Sequence, residues 1–106
     1  DSVESIVVSR IFGNLTPCSS SKAQLGHTLG AAGAMGAAHC WLSASELNSE
    51  GLLPPHVWDG DAEEGLLSQS LVDPGQRLDS DASRIFLSNA FAFGGNNVAL
   101  VIGRWQ

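Results

Sequence analysis

Residues 28–47 hold few large side chains: Gly30, Gly33 and Gly36 recur at three-residue steps among Ala31, Ala32, Ala34, Ala37 and Ala38. The stretch predicts a helix that opens at His27 or Thr28 and continues to about Asn48, roughly 30 Å at 1.5 Å per residue. Each interior glycine costs such a helix roughly 1 kcal/mol relative to alanine. That cost has to be offset by tertiary structure, and the natural source is very close backbone packing. A helix smooth on most sides belongs between two layers and not on a surface. The chain therefore reads as part of a multilayered α/β protein larger than itself. The same stretch is a poor membrane span, because alanine and glycine around His39 gain little transfer energy per position.

The flanking segments fit that reading. Asp1 and Glu4 match a capping box, and Val3, Val7 and Ile11 fall at helical spacing. Ile6-Val7-Val8 is β-branched and would equally suit a strand; a helix ended by Gly13 is preferred. Leu15 to Ser20 reads as a short strand, with Pro17 at an edge or end, followed by a loop over residues 19–26. Residues 50–81 are rich in turn-forming residues and read as irregular surface, with a short strand near residues 68–72. Arg84 to Asn89 and Val98 to Arg104 read as buried strands joined by the tight connection at residues 90–97, an antiparallel hairpin at the end of a sheet.

At 106 residues the chain suits one compact domain. Five Lys and Arg against eleven Asp and Glu leave a net charge of −6, with too few clustered cations to neutralise phosphates, so nucleic acid is not an expected partner. Two cysteines make neither a disulfide framework nor a zinc site, and a reducing, cytoplasmic setting is expected. No signal peptide is expected, since Asp1, Glu4 and Arg10 interrupt any early apolar run. Nothing in the sequence calls for a metal or cofactor. Cys18, His39 and Cys40 read as structural, His56 as part of a surface turn after Pro54-Pro55, and the acidic run at residues 59–64 as a solvated face.

Two segments carry candidate chemistry. In the first, Lys22 and His27 lie five apart, just before or at the start of the glycine-alanine helix. A helix N-terminus favours negative charge and disfavours a protonated imidazole. A histidine held neutral there can offer an N–H to a developing oxyanion, with the lysine as fixed positive charge beside it. From spacing alone the simpler account, His27 capping the helix and Lys22 in solvent, carries the greater weight. In the second segment, Phe91 and Phe93 adjoin Gly94-Gly95 between Asn89 and Asn97. They would serve either as a core plug beside a turn or as the wall and gate of an apolar channel.

Together these stretches resemble the C-terminal portion of the β-ketoacyl-acyl-carrier-protein synthases. The likeness rests on Ser20-Ser21-Lys22 followed by Gly26-His27, on Ala31-Ala32-Gly33, on Leu53-Pro54-Pro55 and on the Asn89 to Asn97 loop, in order and at fitting separation. It extends over nearly all of residues 1–106. The resemblance implies a thiolase-like layered αβαβα fold, of which this chain is most of the C-terminal half. It implies decarboxylative condensation of malonyl-ACP with an enzyme-bound acyl group, in fatty-acid or polyketide synthesis. His27 would correspond to the histidine that hydrogen-bonds the malonyl thioester oxygen, and Lys22 to the lysine that supports it. Phe93 would be the gating phenylalanine, with Phe91 and Gly94 beside it on the acyl-channel side. The nucleophilic cysteine and the first histidine would lie upstream, so this stretch by itself would be inactive. The implied partners are the acyl carrier protein, the upstream half of the same enzyme, and a second ketosynthase subunit in a homodimer or heterodimer. No basic docking patch for the carrier stands out in this acidic stretch.

The sequence departs from the family at three places. Gly36 replaces a glutamate found in many dissociated synthases and is more like modular polyketide enzymes, so a carboxylate near Lys22 is missing. Ala92 replaces the glycine between the two phenylalanines and Asn96 replaces a threonine, which predicts a stiffer gate. The alternative to an enzyme is a non-catalytic partner subunit of the chain-length-factor kind; retention of Lys22 and His27 favours the enzyme.

Overall fold

The computed structural model describes residues 2–105 and contains both helices and strands. Helix α1 covers Ser2–Phe12, strand β1 Pro17–Cys18, the single helical turn α2 Lys22–Leu25, helix α3 Ala32–Ala44, and strands β2, β3 and β4 cover Ser70–Leu71, Ile85–Phe91 and Asn97–Gly103. A 3-10 turn, Leu29–Ala31, leads into α3. Gly13 ends α1 as its sequence predicts, with φ of 72° and its N–H bonded to Ser9 O at 3.0 Å. The Asp1 half of the expected capping box lies outside the described residues.

The architecture rests on one layer contact. β3 and β4 pair antiparallel in full register from Ile85 opposite Gly103 to Phe91 opposite Asn97, and α3 lies across both strands. A Cβ added to Gly33 would sit 3.6 Å from Ala90 Cβ, and one added to Gly36 would run into Ser88 Oγ. As α3 advances from 33 to 36 the facing strand retreats from 90 to 88, so α3 runs antiparallel to β3. Its N-terminal end therefore lies at the turn end of the hairpin.

The close packing expected of the glycines belongs chiefly to Gly36. Gly33 would accept a methyl at ordinary contact distance, and Gly30 meets nothing within 4 Å because it lies in the 3-10 turn. The expected helix from 27 to 48 is correspondingly shorter at both ends. At the front the chain turns through Gly26 (φ 82°) and Leu29 (φ 49°), which no α-helix contains. At the back Ser45 adopts an extended conformation, and the Asn48 side chain captures Ser43 O, Leu52 O and Leu52 N–H. The loop expected over 19–26 contains α2, and the expected strand over 15–20 contracts to the two residues of β1, paired parallel with β2.

Residues 51–56 run back along 72–78 through Leu78 N–H to Gly51 O, Leu53 N–H to Gln76 O and His56 N–H to Val72 O. This ribbon holds two of the three buried apolar residues among those described, Leu53 and Val72; the third, Ala44, closes α3. Exposure alternates along β3, so Phe86, Ser88 and Ala90 face α3 while Ile85, Leu87 and Phe91 stay open. The strands expected to be buried are thus covered on one face only. The accessible surface is 7794 Å², against roughly 5,700 Å² for a folded monomer of this mass. Val3, Val7 and Ile11 also form an outward stripe on α1. Apolar faces of this extent call for a further layer. Among the described residues no helix is long and apolar enough to cross a membrane.

Candidate active site

Lys22 opens α2, whose turn closes with Gly26 N–H on Lys22 O at 2.8 Å, and Gly26 takes a conformation open to glycine (φ 82°, ψ 168°). His27 follows at once, two residues ahead of the 3-10 turn and five ahead of α3. It is therefore not the first residue of the long helix. The helix-terminus field that the sequence would have placed on its ring acts several residues further on, around Ala32. Lys22 and His27 are both exposed. Neither the 3-10 turn nor α3 receives a side-chain cap, so this end of the layer presents its backbone N–H groups without protein side-chain partners.

The second segment leaves β3 at Phe91 and re-enters β4 at Asn97, closed by Ala92 N–H to Asn96 O at 2.8 Å. Gly94 and Gly95 both take left-handed backbone, φ 81° and 80°, a conformation that costs other residues about 1–2 kcal/mol. Ala92 is not among the positive-φ residues, so the backbone there suits an alanine. Phe93 stands at the apex, 94% exposed, and Phe91 is on the open face of the hairpin.

The antiparallel run of α3 over β3 sets the start of α3 at the turn end of the hairpin. Gly33 faces Ala90, the residue before Phe91, and the chain ahead of Gly33 leads back through the 3-10 turn to His27. Phe91, Phe93 and Gly94 are exposed at the turn, Lys22 and His27 are exposed in the segment ahead of α3, and no hydrogen bond or ring contact joins them to one another among the described residues. Gly36 faces Ser88, and a side chain added at this position would have to displace the Ser88 hydroxyl.

Burial pushes the Cys18 thiol above its ordinary range, and the Glu4 carboxylate adds to the effect; burial alone pushes Cys40 up. A thiol kept protonated is a poor nucleophile. Cys18 Sγ is turned to Thr16 O at 3.3 Å. Among the described residues no cluster of His, Cys, Asp and Glu could hold a metal ion.

One residue at this end escapes a sequence reading. His56 is half-buried, not in a surface turn, and its Nδ1 accepts the Ser20 N–H at 3.1 Å, two residues before Lys22. The pair is 36 residues apart in the chain, so no local pattern marks it.

A family model described as beta-ketoacyl synthase, C-terminal domain, matches residues 1–57, a stretch that includes Lys22, His27, α3 and His56 and stops before the Phe91–Phe93 loop. No curated protein and no solved structure matches the chain.

Proposed function

Because the chain belongs to the beta-ketoacyl synthase C-terminal domain family, we propose that it supplies the His27 and Phe93 walls of a condensing active site. The reaction joins a malonyl unit to an enzyme-bound acyl group, with acyl carrier protein as the thioester donor, in fatty-acid or polyketide-type synthesis. The chain is the C-terminal half-domain, residues 1–106, of a thiolase-like layered fold. Its open hairpin face and the stripe on α1 dock against the remaining layers of that fold, which also bring the nucleophilic cysteine and a second subunit.

The observation that supports the reading is that α3 runs antiparallel to β3, so that the N-terminal end of α3, to which the His27 segment leads, lies at the turn end of the hairpin that carries Phe91 and Phe93. A thioester lying between the His27 segment and this turn meets an imidazole on one wall and an apolar gate on the other. When the bond between the malonyl α-carbon and CO2 breaks, its electron pair moves toward the thioester oxygen, and CO2 leaves. His27 donates a hydrogen bond to that oxygen as charge builds there, and the Lys22 ammonium adds a favourable field. The resulting enolate carbon attacks the carbonyl of the acyl thioester on the cysteine; the new carbon–carbon bond forms, the acyl–sulfur bond breaks, and the cysteine leaves as thiolate. Phe91, Phe93 and Gly94 bound the acyl chain and exclude water from the enolate.

In the intact synthase, His27→Ala should lower malonyl decarboxylation by about a hundredfold or more while cysteine acylation stays normal. Release of CO2 from malonyl-carrier and radiolabelled acyl-enzyme formation measure the two steps separately. Equal decarboxylation by wild type and variant would remove His27 from the reaction and leave it a structural residue.

A further inference from the structure

We infer that His56 is a positioning residue for the Lys22–His27 loop, acting through the Ser20 backbone. Within residues 19–31 the backbone hydrogen bonds are local: Gln24 and Leu25 N–H to Ser21 O, Gly26 N–H to Lys22 O, and Ala31 N–H to Thr28 O. Lys22 N–H to Ser20 Oγ, at 3.4 Å, is local as well. Among the described residues, Ser20 N–H to His56 Nδ1 is the hydrogen bond that ties this stretch to a segment remote in the chain. Without it the loop hangs between β1 and the start of α3, with positive φ at Gly26 and Leu29.

His56 is well anchored for the task. Its own N–H bonds Val72 O at 2.8 Å, and Val72 N–H bonds Cys18 O at 3.0 Å, with Val72 only 3% exposed. The imidazole meets the Trp58 ring edge-on, centroids 5.8 Å apart at 62°, which restricts its rotation. Pro54 and Pro55 stiffen the approach to it. The chain from Cys18 to Ser20 is thus held at two points, by the ribbon at Cys18 O and by the ring at Ser20 N–H. Lys22 and His27 leave from the second point. An Nδ1 that accepts must carry no proton, so the ring's N–H is on Nε2.

This role rests on the proposed part of His27 in decarboxylation, and the test keeps the two apart. Intact synthase is compared with its His56→Leu, His56→Asn and His27→Ala variants, by amide hydrogen exchange over residues 19–31, malonyl-carrier decarboxylation and cysteine acylation. Leucine removes the acceptor, whereas the asparagine amide oxygen lies at the same branch depth as Nδ1. His56→Leu should speed exchange of residues 19–31 and slow decarboxylation by about fivefold, the size of one ordinary hydrogen bond, with acylation unchanged. His56→Asn should restore both.

Unchanged exchange or unchanged decarboxylation in His56→Leu overturns the inference. So does an equal fall in decarboxylation and acylation that asparagine fails to restore, since that is general damage. If His27→Ala decarboxylates like wild type, the reading of His27 fails instead. The exchange data then decide the tether by themselves: faster exchange in His56→Leu reversed in His56→Asn upholds it, and anything else rejects it.

Discussion

The two ends of α3 are built in opposite ways. At its C-terminal end, Arg84 Nη1 donates to Ser45 O at 3.1 Å and Asn48 O at 2.6 Å, while Nη2 reaches Ser49 O at 3.5 Å. Asn48 adds three bonds of its own, and Arg104 Nη2 meets Glu46 Oε1 at 2.6 Å. Nearly every carbonyl that a helix end leaves orphaned there has a partner. At the N-terminal end no side chain caps the helix, Leu29 holds a left-handed φ, and Lys22, His27 and Phe93 stand exposed. The C-terminal end is tied to the rest of the chain by side-chain hydrogen bonds, whereas the N-terminal end has only its own backbone turn bonds, Ala31 N–H to Thr28 O and Ala32 N–H to Leu29 O. The contrast matches the proposal that one end of the layer carries stability and the other the chemistry, and it can be broken by substitution.

The largest effect is expected between the two ends, where α3 touches β3 most closely. Gly36→Leu places a side chain where even a Cβ runs into Ser88 Oγ. Forcing the layers apart should cost about 3 kcal/mol, the upper part of the overpacking range, read as a lowered thermal midpoint of the intact synthase. Gly33→Ala is the internal control: its methyl would meet Ala90 Cβ at 3.6 Å, and it should be neutral or stabilising. Equal damage from both would mean that the helix–strand spacing is set elsewhere.

Next comes the satisfied end. Arg84→Met keeps much of the stem but removes the guanidinium from three carbonyls, and should destabilise by about 2 kcal/mol. Decarboxylation per folded molecule should stay normal, because Arg84 is at the far end from His27. A loss of turnover at full folding would join the two ends and defeat the separation.

At the chemical end the order reverses. Gly94→Ala places a Cβ on backbone at φ 81°, a strain of about 1 kcal/mol. The loop is exposed and can relax, so stability should fall by less than that strain. Acyl transfer should fall more than stability does, since Phe93 is the next residue. Acylation rates across acyl-chain lengths, set against the thermal midpoint, separate the two outcomes; a stability loss with unchanged acylation would make the turn scaffold, not gate.

The halves of this picture were unequally legible from sequence. The hairpin is written locally: two apolar runs flank Gly94-Gly95, and strand pairing over Ile85–Phe91 and Asn97–Gly103 follows from them. α1 is likewise local, ended by Gly13. The limits of α3 are not, because glycine and alanine continue a helix pattern through Leu29 and Gly30 and past Ala44. Its actual ends depend on a left-handed Leu29 and on the Asn48 and Arg84 bonds, which are tertiary. The residue types of the site could be read from Lys22, His27 and the Phe91–Gly95 run. The field on His27 could not, since it depends on where α3 begins. The tether at His56 joins positions that share no periodicity at all.

The smallest effect tests whether the satisfied end owes its strength to charge. Two ion pairs lie there or nearby, Arg104 with Glu46 at 2.6 Å and Arg77 with Glu50 at 2.8 Å. The Arg77 and Glu50 side chains are both more than half exposed, so water screens their attraction and side-chain ordering offsets most of what remains. Glu50→Ala should therefore change stability by about 0.3 kcal/mol, and that small change should vanish in 1 M salt, where the screening length is about 3 Å. Arg84 differs in that its acceptors are backbone carbonyls at a half-buried residue. Its contribution should persist in salt, because a close hydrogen bond is not a long-range field. If high salt erased the Arg84→Met penalty as completely as the Glu50→Ala one, the C-terminal end of α3 would be an electrostatic clamp, and its contrast with the bare His27 end would be one of charge and not of hydrogen-bond completion.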